Sequence, residues 1–238
     1  MTENSKTVTV IIVTYNASQT LQLCLDSIYK QSSDAIKIIV IDGDSLDGTK
    51  DILQQNADKL SFWKSEKDRG IYDAMNKAIN YITTERVIFL GADDILLPDF
   101  SAMLDKLQDS SQIYYANVLY KGIKHSGYIS PYFQAKSGIF HQSIIYPTAV
   151  FRKYKYNIKY KIAADYALNM QCYKDPSFTY TYLEYTIAKY NDTGISSNII
   201  DHEFEKDKST LILANFGVKI WGRYLFRRFK AKFKSIIK

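Results

Sequence analysis

The 238-residue chain reads as an α/β protein, a mostly parallel central sheet with helices on both faces, followed by an amphipathic helical tail at the C-terminus. Three observations predict this. Strand-like and helix-like patterns alternate from residue 7 to about 112, as repeated β-α-β units do. The strand candidates are continuous apolar runs such as Ile38–Ile41 and "VIFL" at 87–90, as expected where both faces are covered. Two of these runs stop abruptly at acids, Asp42 and Asp93/Asp94, and open α/β sheets hold their ligands beyond the carboxyl ends of the strands.

The elements follow in order. "TVTVIIVTY" (7–15) is the first strand, and Ser18 is placed to cap a helix carrying Leu21, Leu25 and Ile28 at i, i+4 and i+7. "KIIVIDGDSLDGT" (37–49) holds the second strand, and a helix after Thr49 carries Ile52, Leu53 and Leu60. "SFWKS" (61–65) is a short strand. "DRGIYDAMNKAINYI" (68–82) is a helix with Ile71, Met75, Ala78, Ile79 and Ile82 on its inner face. "RVIFL" (86–90) runs straight into "GADD" (91–94), and Pro98 opens a helix with Phe100, Met103, Leu104 and Leu107 inward. From about residue 113 the pattern changes to a hairpin (113–130), a short helix "AADYALNMQCY" (163–173) and a long strand "FTYTYLEYTIAKY" (178–190). Most of the 20 tyrosines fall in this later part, and a ring with a polar tip suits the wall of a polar organic site and a half-buried strand alike.

Composition is that of an ordinary globular domain, 46% hydrophobic and 24% charged. Cys24 and Cys172 lack metal-ligand spacing and read as buried reduced thiols. No run reaches the roughly 18 apolar residues of a membrane span, and the N-terminus has neither a basic n-region nor a cleavage site, so a cytoplasmic location is expected. The net charge of +6 is unevenly placed. Residues 219–238 hold Lys219, Arg223, Arg227, Arg228, Lys230, Lys232, Lys234, Lys238 and no acid, leaving 23 basic against 25 acidic groups in the rest. In the same segment Trp221, Leu225, Phe229, Phe233 and Ile237 recur every four residues, opposite much of the basic charge. This pattern describes a helix lying in the headgroups of an anionic membrane surface, each near-surface cation contributing about 1 kcal/mol, with Arg228 and Lys232 snorkelling. A helix packed on the body with a solvated basic face has the same pattern. Nucleic acid is not expected as a partner, because nothing outside the tail is basic enough to extend a phosphate-tracking stripe.

Several chemistries are excluded by their missing signatures: GxGxxG after the first strand, GxxxxGK[ST], GxSxG, and zinc spacing among His125, His141 and His202. What remains is two acidic strand ends on one sheet. Acids and glycines there also suit sharp turns and helix caps, the reading given to Asp44 and Asp47, with Asp44 within reach of a ribose. If the strands are neighbours, one carboxylate can accept N–H bonds from a nucleobase edge. The other can face a diphosphate only with a hard divalent cation between them.

In "VTVIIVTYNASQTLQLCLDSI", "IIVIDGDSLDGT", "SEKDRGIYDAMNKAI", "FLGADD", "FHQSII", "IAADY" and "GISS", taken in that order and spacing, the chain resembles the GT-A-fold inverting glycosyltransferases of family 2, over roughly residues 7–200. The resemblance implies a transferase domain over 1–215, with a nucleotide half at about 1–112 and an acceptor half at about 113–215, and the basic amphipathic tail at 216–238. By position it implies that Thr14 and Tyr15 flank the base, that Asp42 pairs with it, and that Asp68 and Arg69 line the nucleotide pocket. Asp93, with Asp94 adjacent, corresponds to the metal-contacting acid of a DxD-like motif, for Mn²⁺ or Mg²⁺. The usual first acid of that motif is Gly91 here, which weakens the metal site and supports, as the alternative, a non-catalytic scaffold. Asp165 falls where the family keeps its general base, and His141 and Gln142 match an "HQ" on the acceptor side. Asp73 and Lys77 read as helix surface or as residues supporting the site from behind. A nucleotide-diphosphate sugar donor, UDP favoured and GDP admissible, and a saccharide acceptor carried on a lipid at the inner face of the membrane complete the expectation.

Overall fold

The computed structural model of the chain describes residues 7–125, 127–191 and 200–236, the last five by backbone alone, so the "GISS" stretch lies outside the described residues. Continuous β-branched runs form the centre of the sheet: β1 (Val8–Thr14), β2 (Ile36–Asp42), β3 (Phe62–Ser65) and β4 (Arg86–Gly91), all mutually parallel in the order β3-β2-β1-β4. The helices that connect them are α1 (Leu21–Tyr29), α2 (Thr49–Gln55) and α3 (Ile71–Ala78). After β4 come a two-residue strand β5 (Ile95–Leu96), α4 (Asp99–Leu104), and the hairpin of β6 (Gln112–Tyr120) with β7 (Ile123–His125). Lys121 and Gly122, both at positive φ (51° and 74°), close that hairpin with the left-handed pair that two-residue turns need. Then follow α5 (Pro131–Ser137), β8 (Ile144–Pro147), α6 (Ala149–Lys153), α7 (Ala164–Lys174), β9 (Thr179–Tyr190) and α8 (His202–Ile236). The sheet continues β4-β8-β6-β9-β5; β8 is antiparallel to both its neighbours and β9 runs parallel to β6, so most strands point the same way.

Alternation along each strand feeds two cores. Val10, Ile12, Ile38, Val40, Ile88 and Leu90 pack with Leu21, Leu25, Leu53, Phe100 and Met103 on one face. Ile11, Val13, Ile39, Ile41, Val87 and Phe89 meet Met75, Phe151, Leu168 and Phe204 on the other. Phe89 is fully enclosed among Phe151, Tyr156 and His141, and truncation of such a ring costs about 3–5 kcal/mol.

Four local expectations are corrected. Ser18 does not cap α1: the cap position is Thr20, which makes no side-chain bond, and the Ser18 amide donates instead to Asp47. Leu60 is buried but lies past α2, which stops at Gln55 before a 3₁₀ turn at Ala57–Lys59. The inner face of the 68–82 segment is rotated: Ile71 is 46% exposed and Tyr72 only 7%. The helix starts at Ile71 directly after Gly70, whose φ of 114° suits only glycine, and its last turn tightens to 3₁₀ at Ile79–Tyr81. The single apolar face of the tail is divided. Gly217 (φ 79°) breaks α8; beyond it Ile220, Trp221 and Tyr224 pack on the body, while Leu225 and Phe229 face outward with Val218 and Phe226. Phe233 and Ile237 lie where side chains are not described.

Candidate active site

Thr14 pairs with Asp42 and Val13 with Gly91 across adjacent parallel strands, so the three chain ends after β1, β2 and β4 emerge together at one edge of the sheet. The carboxylates there divide into two kinds. Asp42 is turned inward and 0% exposed. It accepts from the Ser45 amide at 2.9 Å, from the Ser65 hydroxyl at 2.6 Å and from the Ser45 hydroxyl, so it organises the loop and does not face the cleft. Desolvation tends to raise the Asp47 carboxyl, but it accepts from Thr49 Oγ1, Ser18 N and Thr49 N, and together these donors hold it well below the ordinary range. Asp44, at φ 65°, pairs with Lys50.

The place beside Asp42 is taken by Gly43. A Cβ on Gly43 would lie 2.7 Å from Asp68 Oδ2 and 3.2 Å from the Tyr15 ring, so Tyr15 and Asp68 close on this glycine. Tyr15 is 65% exposed, a ring available for stacking. Asp68 Oδ1 accepts the Gly70 amide. The Thr14 hydroxyl is buried at the same edge without a partner among the described residues. Arg69 is exposed at the rim, its guanidinium 2.9 Å from Asp73, and this pairing lowers the Asp73 carboxyl and raises Arg69. Lys77 donates to the Lys67 carbonyl.

The second acidic end shows the same division. Asp94 is 1% exposed, with Oδ2 accepting from Gln142 Nε2 (2.8 Å) and the Gly91 amide, and Oδ1 from the Asn191 amide. Burial, and then the charge of Asp93, push its carboxyl up to about 7, against those donors. Cys24, buried and reduced, donates to the Gly91 carbonyl. Gly91 is where the familiar first acid is missing, and the carboxylates of the loop close on it: a Cβ there would meet Asp94 Oδ2 at 2.7 Å and Asp93 Oδ1 at 2.8 Å. Asp93 is half-buried, its carboxyl raised by desolvation. No group of three His, Cys, Asp or Glu that could hold a metal occurs among the described residues. Asp93 fits a divalent cation only as one ligand of a site completed by phosphate and water oxygens, a mode hard cations accept.

Asp165 opens the first turn of α7, half-buried, and Oδ1 accepts the Tyr72 hydroxyl at 2.6 Å. The same hydroxyl reaches the Ile162 carbonyl, which fixes Tyr72. Tyr72 packs against Tyr156, whose backbone is held at both N and O by Asn76, and the Tyr156 hydroxyl meets His141 Nε2 at 3.4 Å. His141 is stacked on Phe89 and kept below its ordinary value by burial, Asp165 opposing. Consecutive residues His141 and Gln142 thus join the two acids: Gln142 braces Asp94, and His141 belongs to the Tyr156–Tyr72–Asp165 cluster. Tyr72, Asn76 and Tyr156 were not singled out from sequence; the i, i+4 pair Tyr72/Asn76 on one helix face was the available signal.

Residues 9–175 match the family model described as glycosyl transferase family 2. The chain belongs to that family. It is a glycosyltransferase, a transferase of the EC 2.4 type. Relatives include a PGL/p-HBAD biosynthesis glycosyltransferase of Mycobacterium bovis (strain BCG / Pasteur 1173P2), 31% identical over 210 residues, covering 83% of this chain and 82% of the relative. The putative glycosyltransferase EpsH of Bacillus subtilis (strain 168) is 27% identical over 113 residues, 46% of this chain and 33% of the relative. Among solved structures, S. aureus TarS 1–349 in complex with UDP-GlcNAc superimposes with a TM-score of 0.71 at 18% identity, covering 94% of this chain and 73% of that one. The mannosyltransferase PcManGT from Pyrobaculum calidifontis, in complex with GDP-Man and Mn²⁺, gives 0.62 at 19% identity over 88% and 62%. These two likenesses establish the GT-A fold of the transferase.

Proposed function

We propose that this transferase moves a sugar, with inversion, from a nucleoside diphosphate sugar to a hydroxyl of a lipid-linked saccharide in the assembly of a surface polysaccharide or glycolipid. The observation that supports it most is Asp165, a carboxylate oriented by Tyr72 and joined through His141 and Gln142 to the acidic end of β4. The base lies between Tyr15 and Asp68 at Gly43, with Thr14 beneath and Arg69 at the rim. Asp68, in place of Asp42, accepts the N–H of uracil or guanine. UDP is the favoured carrier and GDP the other, in keeping with the UDP-GlcNAc and GDP-Man held by the two structural neighbours.

Asp165 takes the proton of the acceptor hydroxyl as its oxygen attacks the anomeric carbon. The bond from that carbon to the diphosphate oxygen breaks on the opposite face, and the electron pair leaves with the nucleoside diphosphate. Asp93 would hold Mg²⁺ or Mn²⁺ together with the diphosphate, and the chemistry such an ion supplies is neutralisation of the departing charge. Tyr72 orients Asp165 without touching substrate. His141 stays neutral behind that pair, and Gln142 positions the Asp93–Asp94 loop.

Among the described residues no helix is long and apolar enough to cross a membrane. The outward Val218, Leu225, Phe226 and Phe229, with Lys219 beside them and Lys230 over the Phe226 ring, suit contact with an anionic inner leaflet. A thermal-shift screen of UDP, GDP, CDP and dTDP with Mn²⁺ or Mg²⁺, followed by transfer assays with sugars on the best carrier, tests the donor reading. A preference for UDP or GDP is expected. Stabilisation by CDP alone, or by none, refutes it.

A further inference from the structure

A cavity of about 580 Å³, within the range of small-molecule sites, lies between α5 and the two halves of the broken α8. Lys136, Lys208, Arg227 and Arg228 converge on it with Tyr132 and Tyr224, against one acid, Glu205. Glu205 is engaged by Lys208 at 3.4 Å, and Arg228 donates to the Tyr224 hydroxyl. Lys136 and Arg227 have no carboxylate partner among the described residues. The wall is fixed in place: Arg223 stacks 4.0 Å from the centre of the Tyr132 ring, and Tyr224 is buried. Gathering four cations around one concave space is unfavourable unless an anion offsets their repulsion, and a phosphate group supplies the charge density and acceptors that Arg and Lys bind best.

Two further observations say what bears the phosphate. On the outward side of the same helix Val218, Leu225 and Phe226 are exposed, so the helix that walls the cavity also presents an apolar strip. On the inward side Lys208 lies 5.1 Å over the ring of Tyr166, the residue that follows Asp165 in α7. The cavity therefore borders, through Tyr166, the helix that carries the candidate base, and lies one helix thickness away from an apolar surface. We infer that this cavity binds the phosphate or diphosphate of the lipid that carries the acceptor saccharide. The inference rests on the lipid-linked acceptor proposed above, and it makes the broken α8 part of the acceptor site.

The probe is farnesyl diphosphate, titrated calorimetrically into the full chain with UDP and GDP present so that the donor site is not the one read. Wild type is compared with the double variant Lys136→Gln/Arg227→Gln, both exposed positions, and with Lys30→Gln/Lys106→Gln, which removes the same charge elsewhere. Binding is expected to weaken at least tenfold in the first pair and to be unchanged in the second. Equal weakening in both pairs, or none, overturns the inference. Inorganic pyrophosphate binding as tightly as farnesyl diphosphate overturns the lipid source in favour of a free anion. Loss of binding to vesicles of equal phosphatidylglycerol and phosphatidylcholine, with farnesyl diphosphate binding intact, overturns it in favour of a general headgroup contact. UDP or GDP binding, measured alone, should be identical in all three proteins; its absence from all three would count against the donor reading and leave the cavity result standing.

Discussion

The acids of this protein fall into two populations that look alike in the sequence and are opposite in the structure. Asp42 and Asp94 follow the apolar runs of β2 and β4, and both are enclosed by the chain's own donors, Ser45 and Ser65 for one, Gln142, Gly91 and Asn191 for the other. Asp68, Asp93 and Asp165 retain solvent access, and among the described residues only Asp165 of the three is oriented by a side chain from another element. The difference teaches that a carboxylate at a strand end is as useful for folding a loop as for meeting a ligand. A buried carboxylate is tolerated only when its oxygens are satisfied, and here the serines and amides that satisfy them also fix the turns from which the outward acids project.

The sharpest way to break this comparison is to neutralise one acid of each kind. Asp165→Asn keeps the shape and the Tyr72 hydroxyl as a neighbour but cannot take a proton. Transfer should fall about 10²–10⁴-fold, the usual contribution of a general base, with little change in melting temperature. Retention of wild-type turnover would remove Asp165 from the chemistry. Asp42→Ala should do the reverse in kind. It strands two serine hydroxyls and an amide at a fully buried point, at a cost of about 3 kcal/mol, or roughly 6–12 °C in Tm for a chain of this size. Nucleoside diphosphate affinity of the folded fraction should be nearly unchanged; a loss of affinity without a loss of stability would return Asp42 to the base site.

Tyr72 separates orientation from proton transfer. Tyr72→Phe deletes one hydrogen bond to a carboxylate, typically about 1.5–3 kcal/mol, and leaves the ring packed on Tyr156. About tenfold in kcat should be lost with KM for the donor unchanged. A fall in stability with kcat unchanged would make Tyr72 a packing residue only.

How much of this was legible beforehand follows from the range of the forces involved. The central strands could be read because an apolar run covered on both faces is a local signal, and β1, β2 and β4 fall within a residue or two of the expected limits. The acids could be read as acids, but their facing could not. Asp94 is held by residues 48 and 97 positions away, and Asp165 by one 93 away. Hydrophobicity alone points Ile71 inward, whereas Tyr72 holds that place, its ring buried and its hydroxyl satisfied. The tail's helical period was right, but one stripe could not reveal that Gly217 would break the helix and let Tyr224 dock where Leu225 was expected.

The smallest effect concerns His141, which links the two acidic regions. Burial among Phe89 and Tyr156 lowers its pKa and the Asp165 charge partly restores it, so the folded chain binds a proton less readily there than the unfolded chain does. Between the unfolded value of about 6.5 and the depressed folded value the unfolded state holds more protons, and stability therefore declines as pH falls through this window. His141→Gln should flatten the slope of unfolding free energy against pH just below about 6.5, measured by urea denaturation at closely spaced pH values. Asp165→Asn should steepen the same slope, because it removes the charge that favours the imidazolium and leaves the burial in place. If Asp165→Asn leaves the slope as it was, the carboxylate does not act on the imidazole, and the connection between the acidic end of β4 and the base on α7 reduces to packing.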